Sequence, residues 1–218
     1  MSGGKRLSRL YLDAELREAA ELLLPTASAH YLKHVLRLQN GDRVLLFNGQ
    51  AKQDYLAEVL IKGKQVYVRP LAQQAQDVES PLDSLLIQAI GKSEHMDILV
   101  QKATELGVAG IRPITCERVG VKLDEKKRAR RLEHWQGVVI SACEQSGRAS
   151  VPEVSPPITL QAWLQEDDAS LRLVLDPQAT QPLSAVEPRQ DSVAIVIGPE
   201  GGLSKREIES LRAAGVRP

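Results

Sequence analysis

An α/β fold, with a mostly parallel sheet covered on both faces and a small β-rich unit ahead of it, is predicted by three observations. From Leu82 onward, short apolar runs of strand length alternate with helical patterns, as in consecutive β–α units. The chain is 43% hydrophobic but only 3% aromatic, so its core is built from Leu, Val, Ile and Ala, which suits buried parallel strands. Before residue 73 the strands are short and separated by glycine turns, which reads as a compact barrel. A length of 218 residues allows one or two such domains.

Arg9–Leu12 is the first candidate strand of the small unit. Ala29–Leu38 carries Leu32, Val35 and Leu36 at helical spacing, and Asn40-Gly41-Asp42 closes it with a turn. Strands follow at Val44–Phe47, Tyr55–Ile61 and Val66–Val68, set apart by Asn48-Gly49 and Lys62-Gly63-Lys64. The stretch from Ala72 to Pro81 loses hydrophobicity and gains Gln, so the expected organisation is a first domain over 1–72, a linker over 73–81 and a second domain over 82–218.

In the second domain, Ser84–Ile90 is an apolar strand. Met96, Leu99, Val100, Ala103 and Leu106 share one helical face, ended by Gly107 at the position where a left-handed residue stops a helix. Gly110–Thr115 is the next strand, and Asp124–Arg148 a long helix with Leu132, Trp135, Val139 and Ala142/Cys143 as its apolar stripe. Leu171–Leu175 and Val193–Ile197 are strands, and Ser204–Ala214 a last helix. No internal repeat is present.

Lys and Arg total 28 against 28 Asp and Glu, so a globally basic nucleic-acid-binding chain is excluded and RNA contact would depend on local patches. The densest basic run, Lys126-Lys127-Arg128-Ala129-Arg130-Arg131, reads either as a solvated helix face or as a phosphate contact. The two cysteines, Cys116 and Cys143, have neither metal nor redox spacing, which fits a reducing compartment. No run approaches the roughly 18 apolar residues of a membrane span, and the first residues lead into no signal core, so a soluble cytoplasmic protein is expected. The four histidines are scattered, with only His30 and His34 one helical turn apart, and no metal site is expected.

The most informative stretch is Ala194–Ser204, A-I-V-I-G-P-E-G-G-L-S. A buried strand empties into a loop that proline stiffens and glycines keep open to close ligand approach, and Ser204 with Glu207 has the capping-box spacing of a helix start. In an open α/β sheet, ligands bind at the carboxyl ends of strands. Leu173–Pro177, L-V-L-D-P, ends a second strand in the same way; alone, Asp176-Pro177 reads equally as a plain turn. Two rigid loops at neighbouring strand ends can form a slot for a flat ring. No G-x-G-x-x-G or Walker loop occurs, nor any Gly-x-Ser-x-Gly elbow, which argues against dinucleotide, P-loop and serine-hydrolase readings. Glu144-Gln145-Ser146-Gly147-Arg148 and Thr115-Cys116-Glu117-Arg118 are two further polar clusters, each of which can be a ligand contact or an ordinary helix end or surface ion pair.

Taken together, I-G-P-E-G-G-L-S-K-R-E, K-S-E-H-M-D-I-L-V-Q-K-A-T-E-L-G-V (residues 92–108) and E-Q-S-G-R (residues 144–148) resemble the RsmE family, small-subunit ribosomal RNA uridine-N3 methyltransferases of the SPOUT superfamily. The resemblance covers nearly the whole chain, including an N-terminal PUA-like β-barrel. It implies a SPOUT-type trefoil-knotted, mostly parallel sheet, a homodimer, S-adenosylmethionine as cofactor and ribosomal RNA or the small ribosomal subunit as partner, hence a place in rRNA processing and ribosome biogenesis. By that similarity Leu175, Asp176 and Pro177, with Ile197, Gly198, Pro199, Glu200, Gly201, Gly202, Leu203 and Ser204, are cofactor-binding. Arg118, Glu144, Arg148 and Glu200 are the catalytic candidates; His30, Lys33, Arg37, Lys126, Lys127, Arg128, Gln145 and Ser146 are the RNA-binding candidates. Family members continue past the Ser204 helix into a segment resembling L-G-x-R-I-L-R-T-E-T-A; this sequence ends at Gly215-Val216-Arg217-Pro218, so one wall of the pocket is expected to be missing.

Methyl transfer from a sulfonium is an in-line displacement, and uridine N3 must shed its proton as it attacks. Arg148 or Arg118 is expected to stabilise the resulting anion, and Glu200 or Glu144 to take the proton. The alternatives are a related enzyme acting on another RNA such as tRNA, and a non-catalytic RNA-binding or ribosome assembly factor on the same fold.

Overall fold

The computed structural model describes residues 7–50, 53–76, 78–118, 125–166, 171–186 and 192–218. By internal contacts the chain divides into two units, Met1–Glu79 with Cys143–Val151, and Ser80–Ala142 with Pro152–Pro218.

In the first unit, β1 (Arg9–Tyr11), β2 (Leu22–Leu23), β3 (Arg43–Phe47), β4 (Gln53–Lys62) and β5 (Gln65–Ala75) form one sheet in the order β1-β3-β4-β5-β2. β4 and β5 are a hairpin closed by Gly63-Lys64, where Gly63 takes φ +63°, a conformation that suits a residue without Cβ. Leu10, Val44, Leu46, Ala57, Val59 and Val68 line the apolar interior, together with Leu32 from a short helix. That helix, α1 (Thr26–His30), widens at Tyr31–Val35 into a π turn in which Leu36 N–H donates to the Tyr31 carbonyl (3.0 Å). The expected Ala29–Leu38 helix is therefore shifted toward the N-terminus, and of its apolar positions Leu32 is buried while Val35 is 60% exposed.

The first residues of the expected linker need correction, because β5 runs on to Ala75, paired with β4 across a register shift between Leu56 and Ala57. The glutamines are not slack chain: Gln73 in β5 donates to Tyr55 Oη (2.9 Å) and Gln76, just past it, to Asp54 Oδ2 (2.8 Å), and a polar, exposed strand end has the composition of a connector. The expected domain partition also omits Cys143–Val151, which groups with the first unit.

The second unit holds β6 (Asp83–Ala89), β7 (Gly110–Thr115), β8 (Glu153–Val154), β9 (Ile158–Thr159), β10 (Leu171–Val174) and β11 (Ser192–Ile197). Every pairing among them is parallel, along the path β10-β11-β6-β7-β8 with β9 also on β7. Parallel strands need covering elements, and α2 (Ser93–Glu105), α3 (Glu125–Ser146), α4 (Leu160–Trp163) and α5 (Lys205–Ala213) supply them. One apolar cluster joins Ile87, Ile114, Val174, Ala194 and Val196 of the strands to Trp163 and Leu211 of the helices. On α3, Trp135, Val139, Ala142 and Cys143 of the expected stripe are buried and Leu132 is half-buried; Asp124, the expected first residue, lies outside the described residues.

α2 ends in a Schellman motif. Gly107 at φ +98° lets its N–H reach the Thr104 carbonyl (3.1 Å) while Val108 N–H reaches Ala103 (3.1 Å). Leu106, expected on the buried face, is instead 85% exposed, because the chain has already left the helix at this point. The two-residue strands β2, β8 and β9 and the one-turn α4 have no periodicity to read, and the sequence did not announce them. Among the described residues, no helix is long and apolar enough to cross a membrane.

Candidate functional site

β10 and β11 lie side by side in parallel register, Leu171 against Val193 through Val174 against Val196, so the loops that follow them emerge at the same sheet end. The two punctuated strand ends therefore converge. Together with α5 they line a cleft of ≈ 570 Å³, a size typical of small-ligand sites. Leu175, Asp176 and Pro177 come from one loop, Ile197, Gly198, Pro199, Glu200, Gly202 and Leu203 from the other, and Lys205, Ile208, Glu209 and Arg212 from the helix. Exposed Leu175 gives the cleft an apolar surface, while Asp176, Glu200, Lys205, Glu209 and Arg212 give it both signs of charge. Such a lining suits a ligand that is flat and apolar at one end and zwitterionic at the other.

Both loops are rigidly held. Asp176 Oδ1 accepts from Gln178 N–H (2.9 Å), an Asx turn, and its Oδ2 accepts from Arg212 of α5 (3.2 Å). In the second loop, Gly202 N–H closes a turn on the Pro199 carbonyl (2.8 Å). A Cβ on Gly198 would stand 3.1 Å from Leu203 Cγ and 3.3 Å from its N, so the fold of the loop back on itself needs a bare residue there. Of the residues expected to bind a cofactor, Gly201 and Ser204 do not line the cleft. Gly201 offers its carbonyl to Arg118 Nη1 (2.7 Å). Ser204 caps α5, in the capping box with Glu207 that the spacing indicated.

Glu207 does more than cap. Only 1% exposed, it accepts from Ser204 N–H and, with its other oxygen, from Glu117 N–H at the end of β7, both at 2.7 Å. Ser204 Oγ in turn donates to Glu117 Oε2 (2.7 Å). Beside this carboxylate, burial and the Glu207 charge push the Cys116 thiol up to about 12, which leaves it an unreactive neutral group.

Of the four catalytic candidates, Glu200 and Arg118 belong to the second unit, and Glu144 and Arg148 to the first. Glu200 lines the cleft, but its carboxylate is turned to the start of α2. It accepts from Lys92 N–H (3.0 Å) and lies 2.8 Å from His95 Nδ1. Its own backbone N–H, then that of Lys92, then His95 hold its pKa down to about 2, so it is a poor proton acceptor near neutral pH. Arg118 is spent on the Gly201 carbonyl.

Glu144 and Arg148 belong to the first unit and are engaged within it. Glu144 Oε1 accepts from Tyr11 N–H (3.0 Å); its burial pushes the pKa up, against the pull of that bond and of Arg9. Arg148, 5% exposed, donates to Glu79 Oε2 from Nε (3.0 Å) and Nη2 (2.7 Å). Burial raises the Glu79 pKa, but Arg148 and the Ser150 N–H outweigh it and the net shift is downward. Around them, Arg9 grips buried Asp54 with Nε (3.0 Å) and Nη2 (2.6 Å), reaches the Cys143 and Arg148 carbonyls, and stacks 4.4 Å over the Phe47 ring. The polar run E-Q-S-G-R thus ties down the end of α3 through its two charged members, Arg148 buried and Glu144 half-buried.

Among the RNA-facing candidates, His30 and Lys33 share a groove of ≈ 300 Å³ with His34 and Lys64, and the two imidazoles stand 4.5 Å apart. Arg37 is exposed outside that groove, in the left-handed region at φ +56°. Lys126, Lys127 and Arg128 are exposed on the first turn of α3. Gln145 is exposed, and half-buried Ser146 has an Oγ with no hydrogen-bond partner among the described residues. No group of three or more metal-ligating side chains occurs among the described residues. Sequence reading missed Gly91, His95, Lys205 and Arg212; a capping box made Glu207 visible, whereas nothing local marks a histidine whose partner is in another loop.

The RNA methyltransferase domain family matches residues 78–218, and the RNA methyltransferase PUA domain family matches residues 24–71. Ribosomal RNA small subunit methyltransferase E of Buchnera aphidicola (Schizaphis graminum) is 32% identical, the alignment covering 98% of this chain and 87% of that protein. The Bacillus subtilis protein of the same name is 27% identical over 90% of this chain and 80% of its own. Among solved structures, one from Legionella pneumophila in complex with the bound cofactor S-adenosylmethionine superposes with a TM-score of 0.92 at 36% identity, covering 98% of this chain and 88% of that one. The ribosomal RNA small subunit methyltransferase E of Neisseria gonorrhoeae, bound to S-adenosylmethionine, gives 0.91 at 33% identity, with 97% and 88% covered.

Proposed function

Because the chain belongs to the ribosomal RNA small subunit methyltransferase E family, we propose that it transfers a methyl group from S-adenosylmethionine to N3 of a uridine in small-subunit ribosomal RNA. The observation that carries this reading is the convergence of Leu175–Pro177 and Ile197–Leu203 on one cleft beside α5. Its residues fit the donor: Leu175, Ile197 and Leu203 offer apolar surface to a flat base, Glu209 offers negative charge to a cation, and Lys205 offers positive charge to a carboxylate. When bound there, the cofactor supplies an electrophilic methyl group.

The protein's share is positioning. Rigid loops hold a bound donor still, which is where most of the acceleration of a displacement comes from. N3 must also lose its proton. Of the two candidate carboxylates, Glu200 lines the cleft but is held in its charged form by its partners, whereas Glu144 is engaged by the Tyr11 N–H within the first unit. Single-turnover methylation by Glu144→Gln and Glu200→Gln separates them: a loss of the chemical step in the first with retained cofactor affinity assigns the proton to Glu144.

Family membership also carries the inferences of a SPOUT-type trefoil knot, a homodimer and a cytoplasmic location, the dimer to be checked by light scattering. The proposal as a whole is tested by offering labelled S-adenosylmethionine with small subunits, naked ribosomal RNA and tRNA. Label on a uridine N3 of the small-subunit RNA is expected; label confined to tRNA, or none despite calorimetric binding of the cofactor, overturns it.

A further inference from the structure

We propose that His95 is a positioning residue for the cofactor loop: through Glu200 it fastens the Gly198–Ser204 turn to the start of α2. The inference rests on the cofactor reading of the cleft given above.

The turn between β11 and α5 has no regular structure to hold it, yet Glu200, Gly201 and Ser204 are each fixed from outside. Glu200 is held by Lys92 N–H (3.0 Å) and by His95 Nδ1 (2.8 Å). Gly91 makes that approach possible, since a Cβ there would meet both carboxylate oxygens at 2.8 Å. Gly201 is held on its carbonyl by Arg118 (2.7 Å), and Ser204 by Glu117 and Glu207. His95 is the one side chain among these on the α2 face of the turn, and it does not line the cleft, so any effect it has on a ligand passes through Glu200. Glu200 does line the cleft, so the fastening decides where its charge stands relative to a bound donor.

The test compares wild type, His95→Ala, which removes the contact, and His95→Gln, which keeps a donor. The His95 side chain is largely exposed, so neither substitution threatens folding. Hydrogen exchange at Glu200–Gly202 in the cofactor-free full chain reports the fastening, and calorimetry with S-adenosylmethionine reports its consequence. An exposed pair of this kind supports an effect of about fivefold on each readout: faster exchange and weaker binding in His95→Ala, both restored to within about twofold in His95→Gln. Exchange unchanged in His95→Ala, or His95→Gln as loose as His95→Ala, overturns the proposal. Loosened exchange with unaltered affinity overturns its link to the cofactor. A wild type that binds no S-adenosylmethionine overturns the cofactor reading itself, and the exchange data then still decide whether His95 fastens the turn.

Discussion

Gly91 is bare because of Glu200, a residue in a different loop. Gly91→Ala puts a methyl 2.8 Å from both carboxylate oxygens, so the carboxylate has to swing away from Lys92 and His95; cofactor affinity is expected to fall with little change in the denaturation midpoint, read by calorimetry and urea unfolding. The same carboxylate gives a pH prediction. Its folded pKa of about 2 lies below the ordinary 4.5, so its contribution to the fastening is complete above about 4.5 and is lost as pH falls through about 2. Exchange at Glu200–Gly202 is expected to accelerate, beyond its intrinsic pH dependence, as pH falls below about 4.5. At Arg9 the physics is burial instead. Its partner Asp54 is fully buried, and Arg9→Ala leaves that charge without its ion-pair partner, a loss of roughly 3–5 kcal/mol in urea denaturation.

At the scale of elements, the N-terminus of α5 joins stability to the site. Ser204→Ala removes the N-cap acceptor and is expected to cost about 1 kcal/mol. Glu207→Ala strips the partner from two backbone N–H groups, of Ser204 and Glu117, and is expected to cost more, about 2–3 kcal/mol. Guanidinium denaturation of both variants gives the order; Ser204→Ala as damaging as Glu207→Ala would contradict the brace from β7. The capping box was legible because both its members lie within one turn of helix. The brace to Glu117 was not, since nothing near Glu207 in sequence says which strand end will lie above it. The Gln-rich stretch failed in the opposite direction: composition argued for a connector, while the β4–β5 ladder, which needs no apolar side chains, kept it a strand to Ala75.

For the molecule as a whole, net charge near zero leaves RNA affinity to patches such as the exposed Lys126, Lys127 and Arg128. If these meet phosphates, their replacement by alanine flattens the log–log salt dependence of RNA binding by up to about 2, at roughly 0.7 per single-stranded phosphate contact. An unchanged slope in filter binding would return the run to a solvated helix face.

The sequence by itself determined the α/β alternation, the strand end at Ile197 and, to within one residue, that at Val174, and the two loops that follow, because apolar periodicity and proline–glycine punctuation are local signals written over a few residues. Only the tertiary structure decided what the charged residues do. Glu200 and Arg118 secure the loop, and Glu144 and Arg148 tie down the end of α3. A charge's role is set by the partners that surround it, and those partners come from distant parts of the chain.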